Sequence, residues 1–367
     1  MPRSVCLTRC EALVEIPATP VHHVTQPTQI LTASDQDSAR WDAFVLSHPK
    51  GTFFHRSGWR SIFCNIFRFD CHFLVAERDS TIVGVLPLVH QRSMLFGNAL
   101  VAAPFCVEGG PLAMDAEADS ALTAAALALQ TQTNSPYLEF RSRKASYGWA
   151  TKTDLYATFA RSLSADDQEN LTAIPRKQRA VVRKTLESNL VSDVEDSADN
   201  MFRVYAESVR NLGTPVFPKR YFSALRTTFG QDCDIVVVKD DSVPVSAVLN
   251  FYHGDTVLPY YGGGTALARR TGANDFLYWE VMRRAAARGY RRFDFGRSKA
   301  GTGAFSFKKN WGFTPEFLEY EYHFLPGHSM PDKNPLNPKY SRMIGMWKKL
   351  PLPVANLIGP WIIRGLG

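Results

Sequence analysis

The sequence predicts two tandem α/β (α+β) domains, each built on a mixed, mainly antiparallel sheet that carries helices. Three observations carry this prediction. The chain has 367 residues, room for two domains of ordinary size. Hydrophobic residues make up 45% and charged residues 21%, ordinary globular usage that excludes disordered and fibrous classes. Finally, one order of elements occurs twice: two helices, a hairpin, a strand, a helix and a strand. Its period is far longer than that of solenoid repeats.

Residues 1–30 read as a loose extension with an edge strand near Gln29, and its paired His22 and His23 read as exposed loop residues. The first domain is expected over 31–172. Ser34 or Asp35 suits the cap of a helix through Trp41, Phe44 and Val45. An aromatic-rich short helix is expected over 58–67. Residues 72–77 and 82–89 are β-rich runs around the polar turn Arg78-Asp79-Ser80, which predicts a hairpin. A strand near 99–105, a Gly109-Gly110-Pro111 loop, an Ala/Leu-rich helix over 118–131 and strands near 136–141 and 155–159 follow.

The second domain is expected over 173–325. It opens on a basic helix in which Pro175 suits the first turn and Arg176, Arg179 and Arg183 share one face. Helices over 198–212 and 219–229 precede a second hairpin, 233–238 and 243–251, around Lys239-Asp240-Asp241-Ser242. A strand over 256–261, a helix over 273–288 ended by Gly289, a strand at 292–295 and a final strand at 319–324 complete the pattern. Residues 326–367 form a Pro-rich tail in which aliphatics, Trp347 and Trp361 lie beside Lys and Arg. Such a segment packs on the body of the protein or docks on a membrane interface.

Net charge is +7, which suits anionic partners or plain solubility. The basic helix lacks any DNA-reading motif, so no sequence-specific nucleic acid is expected. Cys6, Cys10, Cys64, Cys71, Cys106 and Cys233 are scattered without metal-ligand spacing; they read as reduced thiols, and no metal is expected. Neither a secretory signal nor a transmembrane run is visible, so the expected location is cytoplasmic.

Three constellations suggest chemistry. In Tyr260-Tyr261-Gly262-Gly263-Gly264-Thr265, glycines let a ligand approach backbone amides; a plain turn is the bland alternative. Asp294 sits between Phe293 and Phe295, so strand alternation puts its carboxylate on the opposite sheet face, to take a proton or serve structure. Arg297, Ser298 and Lys299 follow as donors for an anion. In Phe307-Lys308-Lys309-Asn310-Trp311-Gly312-Phe313, aromatics flank Lys308, as they would to aim its ammonium into a cleft.

Taken in order, the Tyr-Gly-Gly segment, a Trp-bearing helix ending at Gly289, Asp-Phe-Gly and Phe-Lys-x-x-Trp-Gly resemble the C-terminal domain signature of FemAB-like, GNAT-type N-acyltransferases. The overall style most resembles FemAB-related proteins associated with exosortase/PEP-CTERM systems. The resemblance covers roughly 40–325 and is better in the second half.

It implies two tandem GNAT-like acyl-CoA N-acyltransferase folds and transfer of an acyl or aminoacyl group to a primary amine. The acceptor it implies is a cell-envelope or exopolysaccharide precursor, with peripheral contact at the inner membrane face. No tightly bound cofactor is implied; the co-substrate is acyl-CoA or aminoacyl-tRNA. Neither a long coiled-coil insertion nor a Q/R-x-x-G-x-G/A pyrophosphate loop is visible, so the donor stays open. Asp294, Tyr260 and Lys308 are the catalytic candidates. Tyr261, Gly262, Gly263, Gly264, Arg297, Ser298, Lys299, Trp311, Arg176, Arg179 and Arg183 are the substrate-binding ones. The alternative is a catalytically silent GNAT-like binding module in an envelope polysaccharide or protein-sorting system.

Overall fold

The computed structural model describes residues 27–93, 97–330 and 338–366. Most of the expected N-terminal extension, with Cys6, Cys10, His22 and His23, lies outside them. The first half supplies β1 (Gln29–Thr32), β2 (Asp70–Arg78), β3 (Thr81–Ser93), β4 (Gly97–Ala102), β5 (Leu112–Ala113), β6 (Tyr137–Ser142), β7 (Ala150–Lys152) and β8 (Tyr156–Ser162). The second supplies β9 (Val191–Val194), β10 (Cys233–Asp240), β11 (Val243–His253), β12 (Thr256–Gly264), β13 (Arg292–Asp294), β14 (Ser298–Lys299), β15 (Pro315–Phe317) and β16 (Glu319–Phe324).

Two mainly antiparallel sheets result. The first runs β1-β2-β3-β4-β6-β16-β7, with β5 on β3; the second runs β14-β8-β13-β12-β11-β10-β9, with β15 on β8. Each contains one short parallel pair joined through a helix. In the first sheet β4 and β6 pair at Leu100–Leu138 and Val101–Glu139, across helix Ala116–Gln132. In the second, β12 and β13 pair at Thr256–Arg292 and Val257–Phe293, across helix Ala273–Ala287. The repeat read from the sequence is thus a repeat of architecture.

The sheets do not follow the halves of the chain. β8 lies in the second sheet, antiparallel to β13, with Asp294 opposite Ala160. β16 lies in the first, antiparallel to β6, with Tyr322 opposite Glu139. A cut at 172/173, the boundary suggested by the repeat, therefore separates one strand from each sheet.

Burial follows the strand period. Val75, Val85, Val101, Ile235, Val237 and Phe251 face a shared aromatic core, in which the Phe53 ring stacks on Phe251 at 4.2 Å and meets Phe229 at 4.6 Å. The opposite faces pack under the crossover helices: Leu86, Leu88 and Leu100 under Ala116–Gln132, and Val236, Val257 and Phe293 under Ala273–Ala287. Full burial of each such side chain contributes roughly 1.5–3 kcal/mol.

Gly262, Gly263 and Gly264 are the end of β12, paired with Val248, Ala247 and Ser246. The expected turn with exposed amides is therefore a ladder with no backbone left for a ligand on that side. The glycines serve close packing instead. A Cβ on Gly262 would fall 2.6 Å from Tyr278 Oη, and one on Gly263 would fall 2.7 Å from Ser208 Cβ. Gly263→Val is expected to cost about 1–3 kcal/mol by overpacking, read as a lower denaturant midpoint with an unchanged m-value.

Candidate functional site

Beyond Val257–Phe293, β12 and β13 part. The chain after Asp294 turns to β8, with Phe295 N donating to Phe159 O at 2.8 Å. On the other side, β12 carries one extra residue against β11: Leu249 faces Tyr261 and Asn250 faces Pro259, so Tyr260 forms a bulge. Bulges of this kind re-aim side chains beside functional sites.

Against the start of β12 and the length of β13 lies a cleft of about 1000 Å³, lined from both sheets by residues that include His55, Glu108, Arg143, Thr158, His253 and Asp294. Its size suits a small-molecule ligand. Asp294 presents its carboxylate here, on the sheet face away from Phe293 and Phe295, which are buried beneath helix Ala273–Ala287. Asp294 Oδ1 accepts from Thr158 Oγ1 (3.0 Å) and from the amide of Gly296 (2.8 Å). Gly296 has φ +66°, the left-handed conformation that a side chain would strain.

Three carboxyl groups converge on one guanidinium at the cleft floor. Arg143 Nη2 lies 2.9 Å from Glu108 Oε1 and 3.5 Å from Asp294 Oδ2, and Arg143 Nη1 lies 3.3 Å from Glu316 Oε2. The four residues come from the loop after β4, the position just after β6, β13 and β15. Burial pushes the Glu108 pKa up from its ordinary value, and Asp294 and Glu316 add to that push while Arg143 opposes it. Nearby, buried His55 places Nε2 3.1 Å from Gly110 O and Nδ1 2.8 Å from Thr52 Oγ1. The carbonyl accepts only, so Nε2 carries the proton and Nδ1 accepts. Burial lowers the His55 pKa to about 4, so this imidazole is neutral near pH 7 and holds the loop that carries Glu108.

Among the residues predicted from sequence, Asp294 alone lines this cleft. The Tyr260 hydroxyl donates to Phe105 O at 2.8 Å, and burial raises its pKa well above the ordinary value; its proton is committed away from the cleft. Tyr261 pairs with Tyr221, oxygen to oxygen at 2.7 Å. Arg297 donates to Tyr320 Oη at 3.0 Å and lies over the Tyr156 ring. Ser298 and Lys299 form β14, paired with Ala157 and Tyr156. Trp311 is buried and donates to Asp275 Oδ1 at 3.0 Å. On the basic helix Arg176–Leu186, Arg176 and Arg183 are exposed. Arg179 turns back to Ile174 O (3.1 Å) and Thr172 O (2.9 Å), where it serves the end of the preceding helix.

Lys308 differs most from its expected role. It is buried, and its ammonium donates to the carbonyls of Phe295 (2.6 Å), Gly296 (2.8 Å) and Arg297 (3.3 Å). Burial pushes its pKa down to about 7, while nearby Asp294 pulls the other way. The cage fits the ammonium, which has a proton for each carbonyl. Lys308 thus holds the turn that positions Asp294 and does not reach into the cleft.

Glu108, Arg143 and Glu316 were missed. Glu108 directly precedes the Gly109-Gly110-Pro111 loop, the one local signal that singles out its neighbourhood. Among the described residues, one cluster could take a metal ion: ligand atoms of Asp70, His72 and His90 lie within 4.8 Å of one another. It stands outside the residues lining the cleft, and Arg92 Nη2 already lies 3.3 Å from His90 Nδ1.

Lys308→Ala would leave the buried carbonyls of Phe295 and Gly296, and the part-buried one of Arg297, without this donor. It is expected to lower stability by about 3 kcal/mol, measured by urea titration. A variant as stable as the parent would contradict the structural role.

Residues 171–309 match the family described as acetyltransferase (GNAT) domain. Among solved structures, the chain is similar to FemX, with a TM-score of 0.60 at 15% identity, covering 79% of this chain and 96% of that one. It is also similar to the C-terminal domain of a putative lysylphosphatidylglycerol synthetase from Agrobacterium fabrum (TM-score 0.53, 13% identity, 78% and 91% covered). A tandem GNAT protein from the clavulanic acid biosynthesis pathway gives a TM-score of 0.51 at 12% identity, with 81% and 98% covered. No curated protein sequence matches the chain. At these identities the likeness is one of fold: the chain is a mixed α/β, GNAT-like protein with two mainly antiparallel sheets, similar to tandem GNAT structures.

Proposed function

We propose that the protein is an N-acyltransferase that moves an acyl or aminoacyl group from a thioester or ester donor to a primary amine held in the cleft. The carrying observation is the convergence of Glu108, Asp294 and Glu316 on Arg143. With all groups ionised, three carboxylates against one guanidinium leave a locally negative floor at this point, while Lys50, Arg141, Lys144 and Arg292 line other parts of the cleft. Such a floor attracts an alkylammonium acceptor by charge.

Only the free amine attacks a carbonyl carbon, so the ammonium must first lose a proton. Glu108 is the acceptor for that proton, because burial has already raised its proton affinity. Asp294, held by Thr158 and the Gly296 amide, fixes the amine by hydrogen bonding, and Arg143 aligns both carboxylates. The amine nitrogen then bonds to the acyl carbon, the bond to the thiolate or alkoxide breaks, and the leaving group takes up a proton. An acyl-CoA donor is in keeping with the acetyltransferase match over 171–309, and aminoacyl-tRNA as the alternative donor rests on the motif resemblance. An envelope or exopolysaccharide precursor as acceptor rests on the motif resemblance.

One observation favours the silent binding module instead: Asp294 and Lys308 are both engaged within the protein. Thermal-shift titration with CoA, acetyl-CoA and longer acyl-CoAs separates the readings. A true donor at about 100 times its Kd adds about 2.7 kcal/mol of stability. No shift with any thioester, together with no transfer from charged tRNA, would leave the binding module as the better reading.

The pH profile tests the base. Transfer should fall as pH drops through the Glu108 pKa, which lies above its ordinary 4.5. Glu108→Gln should lower kcat by about 10²–10⁴-fold and remove that acid limb. A variant that keeps the parent's rate and profile would exclude Glu108 as the base.

A further inference from the structure

The last two helices, Pro338–Trp347 and Leu352–Ile363, carry an apolar surface that no other described residue covers. Helix Leu352–Ile363 is apolar nearly all round. Ala355, Gly359 and Ile363 face inward at four-residue spacing and pack toward helix Asp199–Leu212. Gly359 sits against the backbone of Val216, where an added Cβ would fall 2.9 Å from Val216 N. That inner face accounts for its attachment to the body.

The outer face has no such account. Leu357 is 80% exposed and Trp361 62%, and Val354 and Ile358 lie on the same side. Met343 and Met346 extend the surface onto helix Pro338–Trp347, Met346 being 64% exposed. Leu212, exposed, adjoins this helix, since its neighbour Gly213 abuts Ile344. A contiguous apolar patch of this kind marks an interaction site rather than ordinary surface.

Charge says which partner fits. Residues 338–366 hold Lys339, Arg342, Lys348, Lys349 and Arg364 and no acidic residue. Arg342, Lys348 and Lys349 are exposed. An aliphatic and tryptophan face on helices whose only charged residues are cations is the composition that seats a helix at an anionic lipid surface. A protein partner's face usually asks for mixed polarity at the rim.

Length sets the mode. Twelve residues of helix span about 18 Å, short of a hydrocarbon core of about 30 Å. No described helix is long and apolar enough to cross a membrane. Such a helix lies along the surface with its apolar face among the acyl chains and its cations at the headgroups.

We propose that helices Pro338–Trp347 and Leu352–Ile363 dock this protein peripherally on membranes rich in anionic lipid, with Leu357, Ile358 and Trp361 as the inserted residues and Lys348 and Lys349 as headgroup contacts. Nothing in this face depends on the reaction in the cleft, so either can fail without the other.

Flotation of the full chain with vesicles is the test, using phosphatidylcholine alone and phosphatidylcholine mixed with phosphatidylglycerol. The parent should float with the mixed vesicles, release as salt rises, and bind the neutral ones far less. Lys348→Gln with Lys349→Gln should lower the partition roughly thirtyfold, at about fivefold for each cation. Leu357→Glu with Trp361→Glu should abolish flotation while leaving Tm unchanged, because both side chains are already exposed. A parent that floats with neither vesicle overturns the proposal, as do variants that float like the parent. Sedimentation of a dimer that Leu357→Glu with Trp361→Glu converts to monomer would also overturn it, and would assign the face to a second copy.

Discussion

The antiparallel pairing of β8 with β13 is the constraint on which the rest of the molecule hangs. β13 is three residues long and has only two registered partners on β12. Alone it could not hold a carboxylate in place. β8 comes from the other half of the chain, pairs along it and supplies the Thr158 hydroxyl. β16 repays the exchange in the first sheet by covering β6. Two sheets tied by two traded strands then share one aromatic core, so the cleft between them has walls of fixed spacing. A network with Glu108 and Arg143 on one side and Asp294 on the other needs such rigidity, because hydrogen bonds weaken steeply with small displacements.

The electrostatics of the floor follow from the same geometry. Removing a carboxyl from water disfavours its charged form, and neighbouring carboxylates disfavour it further. Glu108 receives both influences and one opposing guanidinium. Lys308 supports this arrangement from below. By gathering three carbonyls it stabilises the turn that follows β13, and through Gly296 that turn delivers an amide to Asp294. A residue type that suggests chemistry is here a piece of architecture.

The fold was legible in the sequence because its signals are local. The hairpins at 72–89 and 233–251 announce themselves by alternation and turn chemistry, and the structure forms β2–β3 and β10–β11 there. Strand Glu319–Phe324 lies where the pattern put it. The partners of β8 and β16 were not legible, since no periodicity tells a strand which sheet to join. The site was legible only at Asp294, whose position between two phenylalanines reveals its face. Glu108, Arg143 and Glu316 lie far apart in sequence, the first two meeting across the neighbouring strands β4 and β6 and Glu316 joining them from β15 on the exchanged strand β8. Aromatic neighbours suggested that Lys308 points into a cleft, but they bury an ammonium equally well when carbonyls wait beneath them.

The traded strand β16 also bears on how the protein is made. Its partner β6 ends at Ser142, which pairs with Glu319. Roughly 180 residues must therefore leave the ribosome before the first sheet can close, some 10–35 seconds at ordinary synthesis rates. Throughout that interval β6 presents a bare edge whose central residues are buried in the finished protein. Unpaired edges of this kind invite pairing with other chains. Nascent copies on one message would each carry the same unfilled place in the same sheet, and a β16 from a finished neighbour would fit it.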